Sequence, residues 1–170
     1  AFLAHYPDLQ EEIGAATIGL GHDANDLHAC ALLRSTIAEV LRLRPPAPAN
    51  QPRRLRKRVT LAGHNLPKGT FVFNSFYNMH HNADVFASPE EFHPRRFLDK
   101  TLERSPSYAP FGQGPRNCVA QGMAVQQLMA IVVGMLRRHR VIALQKEMPE
   151  INQLPFLFPS PFQVEILRTN

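Results

Sequence analysis

The sequence predicts a mainly α-helical fold with small β-sheets. Two long segments, around residues 27–43 and 119–138, repeat apolar residues at helical spacing. Between and after them lie only short β-prone runs bounded by Gly and Pro. A proline-rich stretch at 84–110 shows almost no periodicity.

Taken in order, a first helix opens at Pro7, which suits the first helical position, with Asp8, Glu11 and Glu12 near its positive end. A loop of Gly, Asn and Asp runs from Gly19 to Asp26. A second helix covers Leu27 to Leu43, with Leu27, Cys30, Leu33, Ile37, Val40 and Leu41 forming its apolar stripe, and Pro45-Pro46 ends it. This makes a helix pair over 7–44. Short β elements follow over 45–73, where Val59–Leu61, a turn at Gly63 and Thr70–Phe73 read as one hairpin. Residues 84–110 form an irregular loop, and loops of that length are usually functional when ordered. A Cys-bearing loop over 111–118 leads into a helix over 119–138, with Val119, Met123, Leu128, Ile131 and Leu136 expected inward. Strands at Val141–Leu144 and Phe162–Leu167 close a single unit of 170 residues.

Composition narrows the class. At 44% hydrophobic content the chain can bury a real core. It begins at Ala1 without an initiator Met and is expected to be part of a longer protein. No run approaches the ~20 apolar residues that span a bilayer. Two cysteines, Cys30 and Cys118, cannot build a disulfide framework or a four-thiolate metal site. The net charge of +5 favours acidic partners, among them a carboxylated cofactor or an acidic protein.

The segment Phe111-Gly112-Gln113-Gly114-Pro115-Arg116-Asn117-Cys118 carries the most chemistry. Its glycines allow backbone angles other residues avoid, so the loop can fold tightly beneath a flat ligand. Cys118 falls at the start of an apolar helix, where free N–H groups and the dipole favour a thiolate. A thiolate is a ligand for iron, and N–H donors around it tune its electron donation. Arg116 offers a cation for an acidic group on a cofactor. Separately, Glu39 and Arg42 share one helix face close to the apolar stripe, where a charged pair needs further partners.

The Cys-bearing segment resembles the cytochrome P450 signature, with Phe111, Gly112, Gly114, Arg116 and Cys118 in register and Ala124 at a usual small position. Ala120 and Gln127 stand where the family usually has Gly and Glu. Glu39 and Arg42 resemble the family's Glu-x-x-Arg pair, which Arg96 of Pro94-Arg95-Arg96-Phe97 would complete as a structural trio. Arg95 replaces the usual Glu of that element. The resemblance implies the C-terminal part of the cytochrome P450 fold, without the distal helix that delivers protons to bound oxygen. It implies haem b (iron protoporphyrin IX) with Cys118 as axial ligand, Arg53 and Arg116 on the propionates, and Pro48, Ala49, Asn50 and Phe158 facing substrate.

By the same resemblance the parent protein is a monooxygenase. It would insert one oxygen atom of O2 into an apolar small molecule (a steroid, lipid or xenobiotic), using electrons from NADPH through a reductase. Arg137 and Arg138 are expected at the reductase docking surface. Ser35 to Pro45 and the ending Phe162–Ile166 resemble the microsomal branch that includes steroid hydroxylases. That implies the cytosolic face of the endoplasmic reticulum membrane and an N-terminal anchor outside this chain. The chain alone is expected to be inactive, and a haem-thiolate sensor remains the alternative. Two other readings rank lower. The basic run Arg53 to Arg58 has no interleaved aromatics for nucleic-acid stacking, so no nucleic-acid partner is expected. His80-His81 has no Cys or carboxylate at zinc-site spacing.

Overall fold

A computed structural model describes residues 1–21, 23–149, 151–152 and 157–169, with backbone alone for 24, 25, 151, 152 and 158. A short helix α1 (Phe2–His5) precedes α2 (Pro7–Ala16), which has proline in its first turn and Asp8 near its N-terminus. The second expected helix is two helices, α3 (Ala24–Ala29) and α4 (Ala31–Leu43). Cys30, at φ −75° and ψ 94°, caps both. Asn25, Asp26, His28 and Cys30 are weak helix formers, so the run breaks there at little cost. Asp23 Oδ1 accepts the Asp26 N–H at 2.9 Å and starts α3 anew.

Helix α4 is the axis of the structure. Leu33, Ile37 and Leu41 point into a core shared with Leu9, Ile13, Leu27 and Cys30. Its other faces are buried too, because Ser35, Glu39 and Arg42 meet the irregular loop. Helix α6 (Gln121–Leu136) closes this core with Met129, Val133 and Leu136.

The inward face of α6 differs from expectation. Of the five residues expected inside, only Leu136 is buried; Met123 and Ile131 are 60% and 66% exposed and Val119 fully so. The helix is apolar almost all round, so its sequence gives no preferred direction, and only contact with α2, α3 and α4 selects the 129/133/136 stripe.

The β pairing also differs. Strand β2 (Val59–Leu61) pairs with β3 (His64–Leu66), not with 70–73. Ala62 and Gly63 both take positive φ, 47° and 80°, as a two-residue hairpin turn demands. Gly69, at φ 94°, then turns the chain so that β4 (Phe71–Val72) pairs antiparallel with β1 (Arg53–Arg54), Arg53 opposite Val72. An unexpected helix α5 (Phe76–His80) follows, started by Ser75, whose Oγ accepts the Asn78 N–H at 3.2 Å.

Residues 84–110 are irregular, as expected, apart from a 3₁₀ turn at Leu102–Arg104. They are nonetheless held: Phe86, Phe97 and Ala109 are buried, and Phe86 and Phe97 pack on Ala38 of α4. At the C-terminus β5 (His139–Ala143) pairs antiparallel with β8 (Val164–Arg168), near the strands expected there. Between them β6 (Ile151–Asn152) pairs with β7 (Phe158–Pro159). Buried Gln10 ties α2 to this sheet. Its amide donates to the Val141 carbonyl at 2.7 Å and accepts the Val141 N–H at 3.0 Å. Among the described residues no helix is long and apolar enough to cross a membrane.

Candidate functional site

The Cys-bearing loop is a closed structure. The Cys118 N–H donates to the Phe111 carbonyl at 2.9 Å, so the loop returns to its start. Gly112 and Gly114 sit at φ 78° and 73°, inside the left-handed region that favours glycine. A 3₁₀ turn, Gly114–Arg116, carries the chain to Cys118, whose side chain is exposed three residues before α6 begins. Gln113 pins the loop from outside by donating its amide to the Pro106 carbonyl at 3.1 Å and the Tyr108 carbonyl at 3.3 Å.

Gly112→Ala tests how far the loop depends on its backbone angles. An added Cβ meets Asn117 and Phe76 only at 3.7 and 3.8 Å, which is ordinary contact. The expected loss is therefore conformational, about 1–2 kcal/mol for a non-glycine residue in left-handed geometry. Denaturant unfolding of the full-length protein measures it, and an unchanged midpoint would mean that the loop relaxes.

One wall of a cleft of about 550 Å³ is made by this loop, through Gly112, Gln113, Pro115 and Arg116. The facing wall comes from β1, β4 and α5, with Arg53, Val72, Phe73, Phe76 and Met79. Two guanidinium side chains and several apolar ones thus border the cleft, and no carboxylate does among the described residues. Beyond Cys118, Val119 and Met123 leave further apolar surface exposed. The cleft mixes apolar side chains with two arginines and the amides of Asn50, Asn74 and Gln113, and Cys118 itself lies just past its lining, on the same loop. Apolar surface, cations and a nearby free thiol at the head of a helix fit a flat macrocycle bearing two carboxylates and a metal that takes sulfur.

Not every expected residue lies on this cleft. Asn50 does; Pro48 and Ala49 do not, being engaged in backbone pairing with Tyr77 and Ser75. Phe111 turns the other way and packs on the core beside Val125 of α6. Ala120 and Ala124 are half-buried around the start of α6, away from the cleft wall. Phe158 is in β7, with its side chain outside the described residues. Arg137 is no open docking cation, because its guanidinium donates to the Thr17 carbonyl at 3.0 Å and to that of Leu20. Arg137 and Arg138 also follow the far end of the 16-residue α6, roughly 25 Å along the helix axis from its start.

Glu39, Arg42 and Arg96 meet in one fully or nearly buried cluster. The Arg42 guanidinium binds both Glu39 oxygens, at 2.8 and 2.9 Å, and Arg96 Nε reaches both at 3.1 Å. The His93 N–H adds a fourth donor group at 3.0 Å. Two guanidinium charges exceed one carboxylate, and carbonyls offset the difference. Arg42 donates to those of His80 and Pro89 at 2.9 and 2.7 Å, and Arg96 to that of Ala87 at 2.6 Å. These bonds are what order the irregular loop. Arg95, at the unusual position, is taken up by exposed Glu12 of α2.

Sequence reasoning missed His80 and the α5 wall. His80 is fully buried, with Nδ1 3.2 Å from the Arg42 carbonyl and Nε2 accepting the Ala109 N–H at 2.9 Å. Burial lowers its pKa from 6.5 to about 4, with the Arg42 and His81 charges acting in the same direction. The one available signal was Ser75 three residues before Asn78, a helix start in a segment not read as helical. No group of metal-ligating side chains gathers around His80-His81 or elsewhere among the described residues.

Comparison with known proteins gives the family and the fold. Residues 1–166 match the cytochrome P450 family. The chain is 37% identical over 170 residues to the steroid 17-alpha-hydroxylase/17,20 lyase of Sus scrofa, covering 95% of this chain and 32% of that protein. Two solved structures of a zebrafish cytochrome P450, with abiraterone and with progesterone, superpose with TM-scores of 0.83 and 0.82 at 32% and 31% identity. They cover 99% of this chain and 41% and 40% of their own. The chain thus spans about a third of the length of the steroid hydroxylases it matches. Its helices and small antiparallel sheets form part of the same fold, and the chain belongs to the cytochrome P450 family.

Proposed function

We propose that the protein containing this chain is a haem-dependent monooxygenase acting on an apolar, steroid-class substrate, and that Cys118 is the axial iron ligand. The observation that carries this reading is the exposed Cys118 thiol at the head of an apolar helix, ending a closed glycine loop whose Gly112, Gln113, Pro115 and Arg116 line a cleft that also holds Arg53. When bound, haem supplies oxygen activation, with a thiolate ligand that favours O–O cleavage.

The chain's own residues bind and orient that group. Cys118 would hold the metal, and Arg53 and Arg116 would pair with the two propionates by charge-assisted hydrogen bonds. Gly112 and Gly114 keep the loop low enough for close approach, and Phe111 wedges it against the core. Ala120 and Ala124 leave room because they are small. Asn50, which lines the cleft, contributes to the substrate side. The relatives' steroid hydroxylase activity supports the substrate class. NADPH-derived electrons would arrive through a reductase, with the parent protein on the cytosolic face of the endoplasmic reticulum and an anchor outside this chain.

The test is the absorption spectrum of the reduced, carbon-monoxide-bound full-length protein. Wild type is expected to show a thiolate-type Soret band, and Cys118→Ala to lose it. A thiolate-type band that survives the substitution would falsify the ligand assignment.

A further inference from the structure

We propose that His80 is the positioning residue of the thiolate loop: its imidazole transmits the placement of the Glu39–Arg42 cluster to the backbone that carries Cys118. The inference rests on the ligand assignment above, and the geometry behind it belongs wholly to this chain.

A carbonyl can only accept and a backbone N–H can only donate. The Arg42 carbonyl therefore requires a proton on Nδ1, at 3.2 Å, and the Ala109 N–H requires a bare Nε2, at 2.9 Å. One neutral tautomer satisfies both, and the lowered pKa of this buried ring keeps it neutral. Arg42 grips the same residue twice, since its Nη1 also donates to the His80 carbonyl at 2.9 Å. The imidazole lies beside Tyr108, with ring centroids 5.5 Å apart, and it has no exposed surface.

Ala109 is where the loop's path begins. Its carbonyl accepts the Gly112 N–H at 3.0 Å, and the next bond closes the loop from Cys118 to Phe111 at 2.9 Å. The Ala109 peptide is buried, so its N–H has no water to turn to. Among the described residues, one side chain thus bridges the carboxylate–guanidinium cluster and the first turn of the loop. If Nε2 is removed, the Ala109 N–H loses its acceptor. The same peptide is then held only from its carbonyl side, by Gln113, and through the Tyr108 hydroxyl on the Ala38 carbonyl, so the loop with Cys118 shifts.

Two substitutions separate the two ring nitrogens. Gln carries its terminal amide at a reach close to Nε2 and can accept from Ala109; Asn reaches only as far as Nδ1 and preserves the Arg42 contact instead. In the full-length holoprotein, His80→Gln is expected to retain the thiolate-type band of the reduced carbon-monoxide complex. His80→Asn is expected to lose most of it to a non-thiolate band and to shift the haem reduction potential. A thermal midpoint for each variant reads folding apart from ligation. If Asn keeps the thiolate band, or if Gln and Asn lose it alike, the Ala109 acceptor does not position the ligand and the inference is overturned. Cys118→Ala run in parallel distinguishes that failure from a failure of the ligand assignment itself.

Discussion

Replacing Glu39 with Ala is expected to destabilise the full-length protein by roughly 3–5 kcal/mol, the cost of breaking a buried ion pair from one side. Among the described residues Glu39 is the one carboxylate contacting two guanidinium groups whose side chains are 0% and 8% exposed. Without it Arg42 and Arg96 face each other across a dry gap, and the carbonyls of residues 80, 87 and 89 cannot neutralise two charges. The loss reaches the loop at 84–110 as well, because Glu39 also accepts the His93 N–H. Urea unfolding midpoints measure the change. The contrast is Arg95→Ala, which breaks an exposed pair with Glu12 and is expected to cost no more than about 1 kcal/mol. Equal losses for the two variants would show that burial does not govern the cluster.

Acid is expected to destabilise the protein through His80. The native pKa is about 4, against an ordinary 6.5 in the unfolded chain. Between those values the unfolded state binds the proton and the native state does not, so stability falls as pH falls. The contribution is fully present above about pH 6.5 and is lost progressively down to about pH 4. At about 1.4 kcal/mol per pKa unit the total is on the order of 3 kcal/mol. Arg42, His81 and Tyr108 are the charged or titratable groups that face the ring, and burial pushes the Tyr108 hydroxyl up, away from this range. Carboxylates also titrate there, so the measurement is a difference: unfolding free energy against pH for wild type minus His80→Gln. A difference that stays flat from neutral pH to about 4.5 would remove His80 as the cause.

The sequence made the site legible where chemistry is local. Cys118, Gly112, Gly114 and Arg116 lie within seven residues, so spacing alone describes the loop. Glu39 and Arg42 are three apart on a helix, and their burial follows from a stripe that is itself legible. The strands ending the chain were placed within about two residues, because their β-prone runs are bounded by clear breaks.

Elsewhere sequence alone could not choose. Val59–Leu61 has two β-prone partners within reach, and turn geometry at Ala62-Gly63 decides for the nearer one. Helix α6 is apolar almost all round, so its neighbours decide that Met129 rather than Met123 is buried.

The adjacent histidines state the division most simply. In the sequence His80 and His81 are the same residue twice. In the fold His80 is buried between the Arg42 carbonyl and the Ala109 N–H, while His81 stacks on Tyr77 with Glu90 3.7 Å away. By itself the sequence determined which residue types the site would use and which loop would present the cysteine. Only the tertiary structure decided which imidazole supports that loop, because burial and bonding partners come from segments nearly 40 residues upstream and 30 downstream.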